Sequence, residues 1–178
     1  MESEFSNEII KIDQLPAIEQ EQVILLDEKF IKIRTINSLG FYSLMAGCIM
    51  TFGFVAIPKS IMIFVFLLLF PILLFLLNIW LIKKQFKVEG YILRTKDIYF
   101  QQGYLWTKKM IIPFNRIQHA SVHQGPLERY FNIGKLRIFT AGGQSSDLTI
   151  PGLDMEDALK LKQLIGNKTG TLKKMDND

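Results

Sequence analysis

Two apolar runs free of acidic and basic residues, Ile36–Ile57 and Ile61–Ile82, dominate the hydropathy pattern, with only Pro58-Lys59-Ser60 between them. At ~1.5 Å rise per residue, a helix of about 22 residues crosses the ~30 Å hydrocarbon core of a bilayer. The pattern predicts transmembrane helices over 36–57 and 61–82, forming a hairpin that enters a membrane, turns and returns. In the first run Gly40, Ser43 and Gly47 share one helix face, a helix-packing pattern that lets membrane helices approach closely. The second run is bulky. Its Pro71 is expected to kink the helix or loosen one hydrogen bond, and Asn78 and Trp80 are expected at the inner interface. With no charged side chain in either run, the pair reads as an anchor rather than an ion path.

The flanks follow other patterns. Residues 1–22 are polar and acidic, and read as an arm. Residues 23–35 mix apolar clusters (Val23, Leu25, Leu26, Phe30, Ile31, Ile33) with Lys29, Lys32 and Arg34. This juxtamembrane segment reads as a short interfacial helix or strand, or equally as a plain linker. From Phe86 the period becomes two. Tyr91–Leu93, Ile98–Phe100, Lys108–Phe114, Ile117–His123, Lys135–Thr140 and Leu148–Ile150 read as strands, with turns at Thr95-Lys96-Asp97 and Gly142-Gly143. Pro126–Phe131 reads as a helical corner with Leu127 and Phe131 inward. Pro151-Gly152 is expected to end the strand series. Asp154 is placed to cap an amphipathic helix that ends near Gly166, ahead of a polar tail, 168–178. The fold predicted is membrane-anchored: a two-helix transmembrane hairpin, then a small, mainly β domain over 86–167, a barrel or sandwich with a C-terminal amphipathic helix.

Charge placement sets the orientation. The net charge of +4 would by itself suggest nucleic acid. Lys29, Lys32 and Arg34 precede the first run, however, and Lys83, Lys84 and Lys87 follow the second, whereas the connecting turn holds only Lys59. Basic residues at span ends favour the inner side, so both termini are expected in the cytoplasm, with no nucleic-acid partner. The single cysteine, Cys48, excludes an intramolecular disulfide. The acidic start Met1-Glu2-Ser3-Glu4 lacks a basic n-region, and the first run is too late and too long for a signal peptide. It is expected to stay in the mature chain.

Four ordered motifs carry a resemblance: Arg116-Ile117-Gln118-His119, Gln124-Gly125-Pro126-Leu127-Glu128-Arg129-Tyr130-Phe131, Thr140-Ala141-Gly142-Gly143 and Ile150-Pro151-Gly152-Leu153. Together with two preceding spans they resemble the bacterial pleckstrin-homology-like (PH-like) domain in its membrane-flanked class. The resemblance covers roughly Lys29–Ile165. It implies a seven-stranded, partly open barrel with a C-terminal helix, in a bacterial inner or plasma membrane. It also implies a larger relative with repeated PH-like units as a membrane-protein partner.

Candidate functional residues are few. Glu128 and Arg129, adjacent charges at an apolar corner, are candidates for docking a protein partner; the local reading is structural. Lys83, Lys84, Lys87, Arg94, Lys96, Lys108 and Lys109 are candidates for lipid-headgroup contact, with solvated charge facing an anionic leaflet as the plainer reading. His119 and His123 share a strand face but lack a third ligand, so no metal is expected. Gly142-Gly143 is not followed by the Lys-Ser/Thr of a phosphate loop, and Ser145-Ser146 lacks a nucleophile-elbow context. No enzyme activity and no cofactor are expected. The expectation is a non-catalytic module that binds or scaffolds membrane or envelope proteins. Headgroup sensing, service as an accessory subunit of an envelope transport or stress-resistance complex, and homo-oligomerisation are the alternatives.

Overall fold

A computed structural model describes residues 22–56, 61–141 and 148–169. The arm, the turn Pro58-Lys59-Ser60, the Gly142-Gly143 turn and the tail from residue 170 lie outside them. The order of elements is β1 (Ile24–Leu25), α1 (Lys29–Ala56), α2 (Ile61–Phe86), β2 (Gly90–Leu93), β3 (Asp97–Gln102), β4 (Lys108–Pro113), β5 (Ile117–His123), α3 (Pro126–Tyr130), β6 (Ile133–Thr140), β7 (Leu148–Asp154) and α4 (Met155–Thr169). A 3-10 turn, Phe114–Arg116, joins β4 to β5.

Both long helices overrun their apolar runs on the same side. α1 starts at Lys29, ahead of Ile36, and α2 continues past Ile82 to Phe86. At ~1.5 Å per residue the 28 residues of α1 extend about 42 Å, more than a hydrocarbon core requires. The surplus turns stand clear of the apolar zone and join the β module. Between the helices Ser38 donates to Asn78 Oδ1 at 2.8 Å, and Tyr42 meets Phe75 edge to face at 6.0 Å. A polar pair between two apolar helices satisfies both groups where water is scarce.

The strands form two antiparallel sheets, β1-β2-β3-β4 and β5-β6-β7. Among the described residues they do not close into a barrel, which corrects the barrel side of the barrel-or-sandwich expectation. Pro113 ends β4, and Pro151 lies within β7; neither can donate to a ladder. A cleft of about 270 Å³ lies where the sheets fail to join, between Phe100, Lys108 and Met110 on one side and Leu148 and Pro151 on the other.

The inner faces share one core. Ile98, Phe100 and Ile112 of the first sheet meet Leu136, Ile138 and Ile150 of the second, and Ala158, Leu161 and Ile165 of α4 close one end. Asp154 Oδ1 accepts the backbone N–H of Glu156 at 3.0 Å, capping α4. Gly166 does not end that helix, which runs on to Thr169.

Candidate functional site

Geometry singles out the joint between α1 and the β module. Pro151-Gly152, expected to end the strands, instead forms a bulge inside β7. Gly134 pairs Leu153 and Leu136 pairs Ile150, so one extra residue stands on β7. Gly152 has φ +64°, the left-handed region that suits glycine. The bulge makes a socket for Phe30 of α1, whose ring atoms would lie 2.6–2.7 Å from any Cβ at Gly152. Asp27 N–H donates to the Gly152 carbonyl at 2.7 Å, and Asp27 Oδ1 accepts from Lys29 N–H at 2.7 Å. Lys29 Nζ also reaches Asp154 at 3.4 Å. Leu26, Phe30 and Ile33 are buried members of the domain core.

One helical turn further along, Arg34 reaches Glu89, which is 1% exposed. Arg34 Nη2 donates to Glu89 Oε1 at 3.0 Å, and Gln85 Nε2 donates to the same oxygen at 2.8 Å. Nη1 and Oε2 approach to 2.8 Å as a charge contact without hydrogen-bond alignment. The guanidinium also lies 4.5 Å from the Phe30 ring centroid. This cluster ties α1, α2 and the start of β2 together. Positive charge beside the apolar run thus accounts for only part of what Arg34 does; within 23–35, Ile24–Leu25 form the strand β1 against β2 and Lys29 onward is the start of α1.

The basic candidates divide by height. Gly90, Gln101 and Lys109 stand level across the sheet, at the end where α2 enters it. Lys83, Lys84, Lys87, Lys108 and Lys109 are all exposed around that end. Arg94 and Lys96 occupy the β2–β3 turn at the opposite end, roughly 15–20 Å away at ~3.3 Å per strand residue. Arg94 is also held by Asp97 at 2.6 Å. Topology therefore keeps five of the seven together near the helices and sets two apart.

The α3 corner separates its two charges. Glu128 is 7% exposed; its carboxylate accepts the Gly125 N–H at 2.5 Å and pairs with Lys135 at 2.6 Å. It holds the corner shut, which corrects its placement as a surface docking residue. Arg129 and Tyr130 face outward. His119 stacks on Phe139 at 4.3 Å, and His123 lies 3.0 Å from Ser121 Oγ.

A model described as the bacterial PH domain matches residues 34–169. The chain belongs to the bacterial PH domain family. It is 35% identical over 83 residues to UPF0699 transmembrane protein YdbS of Bacillus subtilis (strain 168), covering 47% of this chain and 50% of that protein. It is 30% identical over 96 residues to UPF0699 transmembrane protein YdbT of the same organism, covering 52% of this chain and 20% of that protein. The chain therefore spans half or less of the curated relatives it matches. No solved structure gives a significant match.

In this bacterial PH domain chain, the matched region begins at Arg34, inside α1, and takes in the rest of α1 and all of α2; both helices are long and apolar enough to cross a membrane. The small-residue face is turned away from α2: open space stands where a Cβ would sit on Gly40 and Gly47, and Ser43 is exposed. Sequence patterning missed the Phe30 socket and the Glu89 pair. A trace of the second was present, since a lone acidic residue directly after Lys83, Lys84 and Lys87 invites a buried partner.

Proposed function

We propose that this is a non-catalytic integral protein of the bacterial cell membrane, with both termini cytoplasmic. Its helical hairpin holds a PH-like module in fixed orientation so that the module can bind or scaffold other membrane or envelope proteins. The observation that supports this reading is the joint. Phe30 in its socket and Arg34 on Glu89 fuse helix to module, whereas a tethered sensor needs only a linker. A fixed module presents one constant face to neighbours in the same membrane, which reduces the orientational cost of association. The partner class is a second membrane protein, with a larger family member carrying repeated PH-like units as the first candidate.

The test is affinity capture of the full-length protein from crosslinked native membranes, read by mass spectrometry. The expected result is a repeatable membrane-protein partner. The exposed pair Arg129→Ala and Tyr130→Ala leaves the fold intact and shows whether the corner contributes. Recovery of only the protein and lipid overturns the scaffold reading. It favours the second one, headgroup binding by Lys83, Lys84, Lys87, Lys108 and Lys109. That reading is supported by their gathering at one end, each worth about 1 kcal/mol near an anionic leaflet.

A further inference from the structure

The β3–β4 connection places three large apolar residues in a row on the surface: Tyr104, Leu105 at 64% exposure and Trp106 at 85%. Single exposed apolar residues are ordinary; a contiguous group marks an interaction surface. The tip is a built turn. Gly103 has φ +94°, and a Cβ there would run into the Trp106 carbonyl, while Thr107 Oγ1 donates to the Gly103 carbonyl at 3.4 Å.

Its position is set by α2. Tyr104 meets Trp80 edge to face at 6.4 Å. Loop and helix enclose an open cleft of about 260 Å³, faced on the helix side by Asn78, Leu81, Ile82 and Gln85. Asn78, Leu81 and Ile82 belong to the apolar run; Lys83 and Lys84 come after it. The tip thus lies beside the last apolar turn of α2. Lys84 Nζ sits 5.7 Å from the Trp80 ring, and Lys108 and Lys109 begin the strand that leaves the tip. Aromatic residues flanked by amines suit the headgroup boundary, where rings meet acyl carbon and ammonium groups meet phosphate.

We propose that the Tyr104-Leu105-Trp106 tip inserts into the headgroup–acyl boundary of the cytoplasmic leaflet, as a third membrane contact beside the two helices. The occupant of this surface is the bilayer itself. The inference rests on the reading that the hairpin spans the membrane, and the test separates the two.

The chain has two tryptophans, so each can be read alone. Full-length Trp80→Phe leaves Trp106, and Trp106→Phe leaves Trp80. Both are reconstituted in phosphatidylethanolamine–phosphatidylglycerol vesicles whose acyl chains are brominated near the headgroup. The expected result is Trp106 emission that is blue-shifted, at least halved by the brominated lipid and resistant to acrylamide. Trp80 quenched by lipid while Trp106 is reached only by acrylamide overturns the inference and leaves the spanning reading standing. Neither quenched by lipid overturns both. A blue-shifted Trp106 that neither quencher reaches shows a protein surface over the tip, and also overturns the inference.

Discussion

At the scale of single residues, Gly152 and Tyr91 carry the sharpest consequences. Gly152→Ala combines a left-handed backbone unsuited to a Cβ with a collision against Phe30. The expected loss is about 2–4 kcal/mol, the sum of those two costs. Thermal unfolding of the detergent-solubilised protein checks it, and an unchanged midpoint refutes the socket. Tyr91 is buried in the core, and loss of solvent, reinforced by the Asp157 carboxylate, raises its phenol above the ordinary value of 10.0. A raised folded-state value means that the neutral form is favoured by folding. Stability is intact below the unfolded value and declines as pH rises from there through the folded one. Tyr91→Phe should remove this alkaline decline. The measurement is the unfolding midpoint between about pH 9 and 11, where wild type falls more steeply than the variant.

At the scale of elements, α1 is two things in one helix: an apolar rod, and an N-terminal turn belonging to the β module. The ion pair Arg34–Glu89 fastens that turn to the end of α2. Removing one partner leaves a buried charge uncompensated, so Glu89→Gln should cost about 3 kcal/mol. The double change Arg34→Met with Glu89→Met should recover much of that, because two apolar side chains replace the pair. Additive losses in denaturant unfolding would show that the two residues act independently. The strands were legible because period-two alternation is local. The joint was not, because its logic is distant: Phe30 finds its place only through a bulge late in the chain. Pro151-Gly152 is locally indistinguishable from a strand terminator. Glu128 was misplaced for a related reason. Its nearest neighbours read as a surface corner, while its partner Lys135 lies on the next strand. Strand spacing left barrel and sandwich open and the resemblance implied a partly open barrel; how far two sheets join depends on edges distant in the chain, and the described strands stay in two sheets.

At the scale of the whole molecule, the joint fixes direction. β2 leaves the end of α2 and climbs to the Thr95-Lys96 turn, while β3 descends again to the tip beside Trp80. Lys96 therefore marks the end of the module farthest from α2, and it is exposed. If the hairpin spans the membrane with both termini inside, Lys96 must face the cytoplasm and Lys59, between the two runs, must face outward. Cys48 is the chain's only cysteine, so Cys48→Ser gives a silent background for labelling. In that background Lys96→Cys should resist a membrane-impermeant maleimide in intact spheroplasts and react in inverted vesicles. Lys59→Cys should do the reverse. The two positions act as mutual controls, since a leaky preparation labels both and a wrongly oriented chain exchanges them. Labelling of Lys96→Cys from outside would place the module beyond the membrane and remove the cytoplasmic leaflet as the surface the lysines meet. The opposite pattern would fix the side from which every partner and lipid must approach.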